Sequence, residues 1–308
     1  MTFPGPTIRL AARPSPLSRR QAEEASRWLL ESDPGLRTEF LWVPTRGDVD
    51  LKAHPPDLGS AGVFEKEVDL AVAAGRAEAS VHSLKDLPLG ELPGGLKLLG
   101  VLPRGPAEDA VVLRAPGDSW ASLPDGARVG TSSLRRQAMV GYLAPMAQVK
   151  PVRGNVGSRL AKLDQGEFDA LLLAESGLVR LGLDPPRFRL SPRDFPPAPG
   201  QGFLALVGGA EVEEVLGSAL RPFALAFREA RAERDFLEAT GGGCSAAVGA
   251  YAHARDPDQG EISVVEWRPD GSARRCWVGV GALSDIGRRA HERLQEASWE
   301  SRRQEGGH

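Results

Sequence analysis

The chain has 308 residues, with 38 basic against 41 acidic side chains and a net charge of −3. That length allows two or three domains, and the near-neutral balance supplies no broad basic field for nucleic acid. Hydrophobic residues make up 41% and charged residues 26%, an ordinary globular balance; no stretch is apolar enough to span a membrane, and two cysteines are too few for a disulfide framework.

Thr7 to Ala12 reads as a strand. Ser15-Pro16 is a helix entry, serine as cap and proline in the first turn, after which Leu17, Gln21, Ala25, Trp28 and Leu29 share one helical face. Phe40 to Val43 is a second strand, and Phe64, Val68 and Val72 form a helical stripe stopped by Gly75. Ala79 to Val81 is a short apolar strand end. This βαβα alternation predicts a mostly parallel sheet. After a Pro/Gly-rich break at 102–106 the alternation restarts. Val111 to Leu113, Arg128-Val129, Val149 to Val152 and Phe168 to Ala174 are strand-like, while Leu134, Ala138 and Tyr142 lie along one helix and Arg159 to Leu163 is helical. A second proline-rich break covers Pro192 to Pro199. From about Arg221 the pattern changes. Phe223 to Ala239 is one long helix ended by Gly241 to Gly243, Glu261 to Trp267 and Arg274 to Val280 flank the hairpin signal Pro269-Asp270-Gly271, and Leu283, Ile286, Ala290, Leu294 and Ala297 make a final amphipathic helix.

The expected architecture is therefore α/β: two similar α/β domains of the periplasmic-binding-protein type with a cleft between them, plus a small C-terminal α+β domain. The boundaries are 1–103 with 199–219 for the first domain, 104–198 for the second and 220–308 for the third. The N-terminus lacks a basic segment followed by an apolar one, which with the cysteine usage gives a cytoplasmic location as the expectation. The five histidines have no pair at metal-ligand spacing, so no metal is expected, and no glycine-rich nucleotide loop occurs.

Five segments carry chemistry. In Val81-His82-Ser83-Leu84-Lys85-Asp86-Leu87-Pro88 a carboxylate stands beside lysine, serine and histidine at a strand exit, a place where α/β enzymes put catalytic groups; the alternative is a solvated turn. Near the N-terminus stands Arg9-Leu10-Ala11-Ala12-Arg13-Pro14-Ser15-Pro16-Leu17-Ser18. Gly130-Thr131-Ser132-Ser133-Leu134-Arg135-Arg136-Gln137 follows a strand and opens a helix, an anion site at a positive helix terminus. Arg153-Gly154-Asn155-Val156-Gly157-Ser158-Arg159-Leu160 lets backbone approach a ligand closely at Gly154. Pro199-Gly200-Gln201-Gly202 precedes Gly241-Gly242-Gly243-Cys244, where three glycines leave a thiol accessible. Cys276 sits in an apparent strand and reads as a buried small hydrophobe. The chain holds 32 arginines and 6 lysines, and arginine is the better grip for planar carboxylates.

In this order and spacing the segments resemble the hydroxymethylbilane synthase (porphobilinogen deaminase) family over nearly the whole chain. The resemblance implies an enzyme, a transferase of porphyrin biosynthesis that condenses four molecules of porphobilinogen head to tail into a linear tetrapyrrole with release of ammonia. It implies that Cys244 carries a dipyrromethane cofactor through a thioether, and that Asp86 is the acid–base group, stabilising the azafulvene cation left as ammonia departs. Ser83, Lys85, Asp86, Thr131, Ser132, Ser133, Arg135, Arg136 and Gly154 are implied to bind the cofactor. Arg13, Ser15, Gln21, Arg153, Arg159, Arg180 and Gln201 are implied to bind the substrate. Lys85 either lowers the pKa of Asp86 or binds a substrate acid, and Gln21 could equally be a surface residue. A monomer is expected, with no nucleic-acid or membrane partner. The family usually has lysine where this chain has Ala61, and glutamine-valine-proline where it has Ser245-Ala246-Ala247. A solute-binding module, or a relative that keeps the cofactor without activity, are the competing readings.

Overall fold

Alternation of side chains across the strands decides how this chain layers. The computed structural model describes residues 5–45, 63–242 and 247–302, with the side chains of 63–65 outside the description. In Thr7–Ala12 (β1), Leu10 packs with α1 (Pro16–Ser32) while its neighbour Ala11 packs on the opposite face with α2 (Val63–Ala73). Both faces of the strand are therefore buried, as expected of a sheet with helices on either side. With Arg37–Trp42 (β2), Ala79–Ser83 (β3), Lys97–Val101 (β4) and, much later in the chain, Leu204–Gly208 (β10), these elements form a five-stranded sheet of order β2-β1-β3-β10-β4. β2, β1 and β3 are parallel, and β10 runs antiparallel between β3 and β4. Leu204 and Leu206 face α1 and α6 (Ala210–Leu220), whereas Ala205 and Val207 join Leu84, Leu87 and Phe203 on the other face.

The second sheet repeats this plan. Asp109–Leu113 (β5), Arg128–Gly130 (β6), Gln148–Lys150 (β7), Ala170–Ala174 (β8) and Arg187–Leu190 (β9) take the order β7-β6-β8-β5-β9, again three parallel strands, then one reversed. Its helices are α3 (Leu134–Leu143), α4 (Val156–Asp164) and α5 (Glu175–Leu181). Val111, Leu113 and Leu172 pack with α3; Ala110, Val112, Leu171 and Leu173 pack with α4 and α5. The two similar α/β domains expected from the sequence are thus present. The short reversed strand in each sheet is what the pattern did not disclose.

The rest is an antiparallel sheet of Val248–Ala254 (β11), Gln259–Trp267 (β12), Ala273–Ala282 (β13) and Glu300–Ser301 (β14), covered by α8 (Ile286–Glu296) and by Ala232 and Phe236 of α7 (Ala224–Ala239). The β12–β13 turn places Gly271 at φ +69°, a left-handed conformation that favours glycine. The chain divides into two compact units. One comprises residues up to Gly105 with Gly202–Ala230, and the other Pro106–Gln201 with Arg231 onward, which includes the antiparallel sheet. Among the described residues no helix is long and apolar enough to cross a membrane.

One ion pair stitches β6 to β8. Asp169, just ahead of β8, accepts from the backbone N–H and the Nε of Arg128 at 2.9 and 3.1 Å, and from Arg114 Nη2 at 2.9 Å. The Arg128 hydrogen bond outweighs partial burial and holds the Asp169 carboxyl at about 2, below its ordinary 3.8. A depressed carboxyl stabilises the fold above its unfolded pKa and loses that contribution as pH falls towards the folded value. Asp169→Asn is expected to cost on the order of 1 kcal/mol at neutral pH, its exposed arginine partners being screened by water. The loss should shrink between about pH 4 and pH 2, as followed by urea unfolding at each pH.

Candidate functional site

In the first unit the residues after β1 lead through Ser15 into α1. In the second unit, Thr131 to Ser133 follow β6 and lead into α3; Pro151 to Asn155 follow β7 and lead into α4. Ser133 caps α3, its Oγ accepting from Arg136 N at 3.4 Å, and Asn155 caps α4, its Oδ1 accepting from Ser158 N at 2.9 Å. The two loops are laced together. Ser132 Oγ donates to Val152 O at 2.8 Å and accepts from Val152 N at 3.2 Å, while Thr131 Oγ1 accepts from Ser133 N at 3.3 Å. The hydroxyls of Thr131, Ser132 and Ser133 therefore shape the loop that presents the α3 terminus. Gly154 has φ +104°, and a Cβ there would sit 2.2 Å from Ser158 Oγ, so only glycine fits the turn. Arg159 Nε donates back to Gly154 O at 2.8 Å. Arg153 is exposed, and Arg159 and Arg180 are half-buried, Arg180 in the last turn of α5.

Arg135 and Arg136 point inward. Both are buried against Asp109, the first residue of β5, which has no exposed surface. Arg136 Nη2 and Nε lie 2.7 and 3.1 Å from Asp109 Oδ1, and Arg136 Nη1 donates to Leu172 O at 3.1 Å. Arg135 Nη1 lies 2.7 Å from Asp109 Oδ2, an ion-pair contact outside hydrogen-bond geometry, and also meets Pro196 O at 3.4 Å. Gln201, fully buried, closes the cluster: its Nε2 donates to Ala107 O and to Asp109 Oδ1, and its Oε1 accepts from Arg136 Nη2. Burial alone would raise the Asp109 carboxyl. The charges of Arg135 and Arg136 overcome it and hold the group well below the usual carboxylate range.

In the first unit, β3 ends in a single turn, Leu84–Asp86. Leu84 and Leu87 are buried, Leu84 N donates to Phe203 O at 3.1 Å, and Leu87 N donates to Leu84 O at 3.1 Å. Asp86 is exposed on this anchored turn, beside half-buried Lys85. Gln21, buried on α1, donates through Nε2 to Ser83 Oγ at 2.8 Å, so Ser83 and Gln21 come together directly behind the turn. Ser15 caps α1, its Oγ accepting from Ser18 N at 3.4 Å, and Arg13 N donates to Ser18 Oγ at 3.1 Å. Cys244 and Ala61 lie outside the described residues. Cys276 is half-buried in β13 with its thiol pushed up, first by burial and then by Glu300.

Two groupings were absent from the sequence reading. Asp109 is one; its signal was an acid directly opening the wholly apolar strand run Ala110–Leu113. The other is Asp69 on α2, whose Oδ1 accepts from Ser80 Oγ at 2.6 Å and lies 2.7 Å from His82 Nε2, all three buried. It fastens α2 to β3, four residues ahead of Asp86.

Each α/β sheet presents polar groups at its loops: capped helix termini and arginines in the second unit, an exposed acid on an anchored turn in the first, features suited to anionic and polar ligands. The comparisons narrow the reading. Residues 8–216 match the family profile described as porphobilinogen deaminase, dipyromethane cofactor binding domain. A probable porphobilinogen deaminase of Ignicoccus hospitalis is 42% identical over 94% of this chain and 95% of its own length. One of Hyperthermus butylicus is 45% identical over 80% of this chain and 82% of its own, and the porphobilinogen deaminase of Nitratidesulfovibrio vulgaris is 41% identical over 79% and 77%. The chain belongs to the porphobilinogen deaminase family, which decides against the solute-binding reading.

Gln21→Leu leaves the half-buried Ser83 hydroxyl without its donor, and is expected to cost about 1–2 kcal/mol of stability in urea unfolding.

Proposed function

We propose that Asp86 is the acid–base residue of a hydroxymethylbilane synthase, with the arginine-bearing loops of the second unit as its carboxylate grip. The reaction condenses four porphobilinogen molecules head to tail into a linear tetrapyrrole and releases ammonia. The observation that carries the assignment of Asp86 is its placement: an exposed carboxylate on a turn whose flanking leucines are buried and whose backbone is tied to Phe203. Such a group is held in direction yet open to ligand. As ammonia leaves a pyrrole, positive charge develops over the ring and its N–H. A fixed carboxylate stabilises that charge more than the neutral bound ring, and its acid form can protonate the departing amine.

Each pyrrole carries two carboxylates, so a growing chain is a dense polyanion. Arg13, Arg135, Arg136, Arg153, Arg159 and Arg180 hold it in register, with Ser15 and Gln21 supporting the first unit's share and Gln201 the second's. The chemistry of this donor set fits a dipyrromethane, whose carboxylates match the guanidiniums and the α3 and α4 termini, and Arg135 Nε is a buried donor without a hydrogen-bond partner among the described residues. Ser83, Lys85, Asp86, Thr131 to Ser133, Arg135, Arg136 and Gly154 would hold the cofactor, with Cys244 as its covalent attachment. When bound, the cofactor supplies the covalent starting point for chain growth. Lys85, adjacent to Asp86, takes a substrate acid. In this reading residues 1–103 with 199–219 carry Asp86, 104–198 the arginine loops and 220–308 the cofactor cysteine. The protein works as a monomer in the cytoplasm, without nucleic acid, a reading supported by its two cysteines and net charge of −3.

Asp86→Asn keeps the shape but removes both the charge and the exchangeable proton. It should fold and bind porphobilinogen, while single-turnover ammonia release falls by about 10²–10⁴ or more. Asp86→Glu should retain measurable release. Wild-type rates from the Asn variant would move the catalytic carboxylate elsewhere, and no release from the wild-type chain would mark a relative without activity.

A further inference from the structure

Asp109 lies outside the five motif segments singled out in the sequence, yet it organises the arginine pair. Its Oδ1 takes Arg136 at two nitrogens, its Oδ2 faces Arg135, and Gln201 bonds both Oδ1 and Arg136. One carboxylate stands against two guanidiniums. The cluster therefore keeps a surplus of one positive charge in the interior, and Arg135 Nε has no hydrogen-bond partner among the described residues. A buried surplus cation with an unsatisfied donor is a costly arrangement, and a carboxylate ligand relieves it. Without Asp109 the surplus would double, and two adjacent guanidiniums at a helix N-terminus would take any small oxyanion.

We propose that Asp109 is a positioning residue for the reaction, aiming Arg135 and Arg136 and holding their surplus charge at one, so that the pair receives pyrrole carboxylates while small inorganic oxyanions gain little there. The proposal rests on reading Arg135 and Arg136 as carboxylate-binding residues. The same pairing explains why the strand bearing Asp109 cannot slide: Arg136 also bonds Leu172 O on the adjoining β8.

Asp109→Asn, Asp109→Glu and the charge-balanced double variant Asp109→Asn with Arg136→Gln test it. Each is melted in sodium sulfate and in sodium chloride of equal ionic strength, without substrate. Asp109→Asn should gain on the order of 5 °C more from sulfate than the wild-type chain does. Asp109→Glu and the double variant, whose surplus returns to one, should fall back to the wild-type response. A loss of packing alone would lower all melting temperatures equally in both salts. If Asp109→Asn does not fold, folding of the double variant supports the charge role, and failure of both overturns it. A sulfate response in Asp109→Asn equal to that of the wild-type chain also overturns it. Turnover of porphobilinogen by the wild-type chain tests the underlying reading separately, because the sulfate response involves no catalysis.

Discussion

Two guanidiniums closed around one buried carboxylate form the constraint on which the second unit's site depends. At an effective dielectric near 20 a close pair is worth on the order of 4 kcal/mol, and desolvating each ion costs several kcal/mol. The net gain of the cluster is therefore small, whereas removing a single member leaves an unpaired charge at a cost of about 3–5 kcal/mol. That asymmetry makes the cluster a device for geometry more than for stability. It ties the start of β5 to the first turn of α3 and, through Leu172 O, to β8. The loop Thr131–Ser133 is then fixed from below by Arg136 and from the side by the Ser132–Val152 bonds.

The first unit reaches a comparable result by apolar means. Leu84 and Leu87 anchor the turn that carries Asp86 in the core, with Gln21 bracing Ser83. The buried Asp69–His82–Ser80 group sits one step back along β3 and fixes α2 to the strand. The second unit thus rests its loop on buried charge, and the first rests its turn on buried leucines.

How much of this the sequence disclosed follows from the range of each interaction. β1, α1, α3, α8 and the hairpin at Gly271 were legible because their signals are local: a cap, a stripe, a turn glycine. Strand limits slipped by a few residues, as at Gln148–Lys150 against an expected start at Val149. β10 and α6 went unassigned because β10 acquires its role only by inserting between β3 and β4, far back in the chain. Within the site, the capping role of Ser15 was readable from the sequence, and Thr131 to Ser133 were readable as the opening of a helix, with Ser133 as its cap emerging only in the fold. The inward turn of Arg135 and Arg136 was not, since it depends on Asp109 about 27 residues earlier in the chain, brought near by the reversed strand β5. Gln21 appeared to be either ligand-binding or surface; burial against Ser83 makes it a brace.

The most direct measurement is the mass of the intact wild-type chain under denaturing conditions, followed by peptide mapping of any adduct. A chain heavier by a two-pyrrole group, with the extra mass on the peptide containing Cys244, is the result this account predicts. The unmodified mass after exposure to porphobilinogen, or an adduct on the peptide containing Cys276, would contradict it.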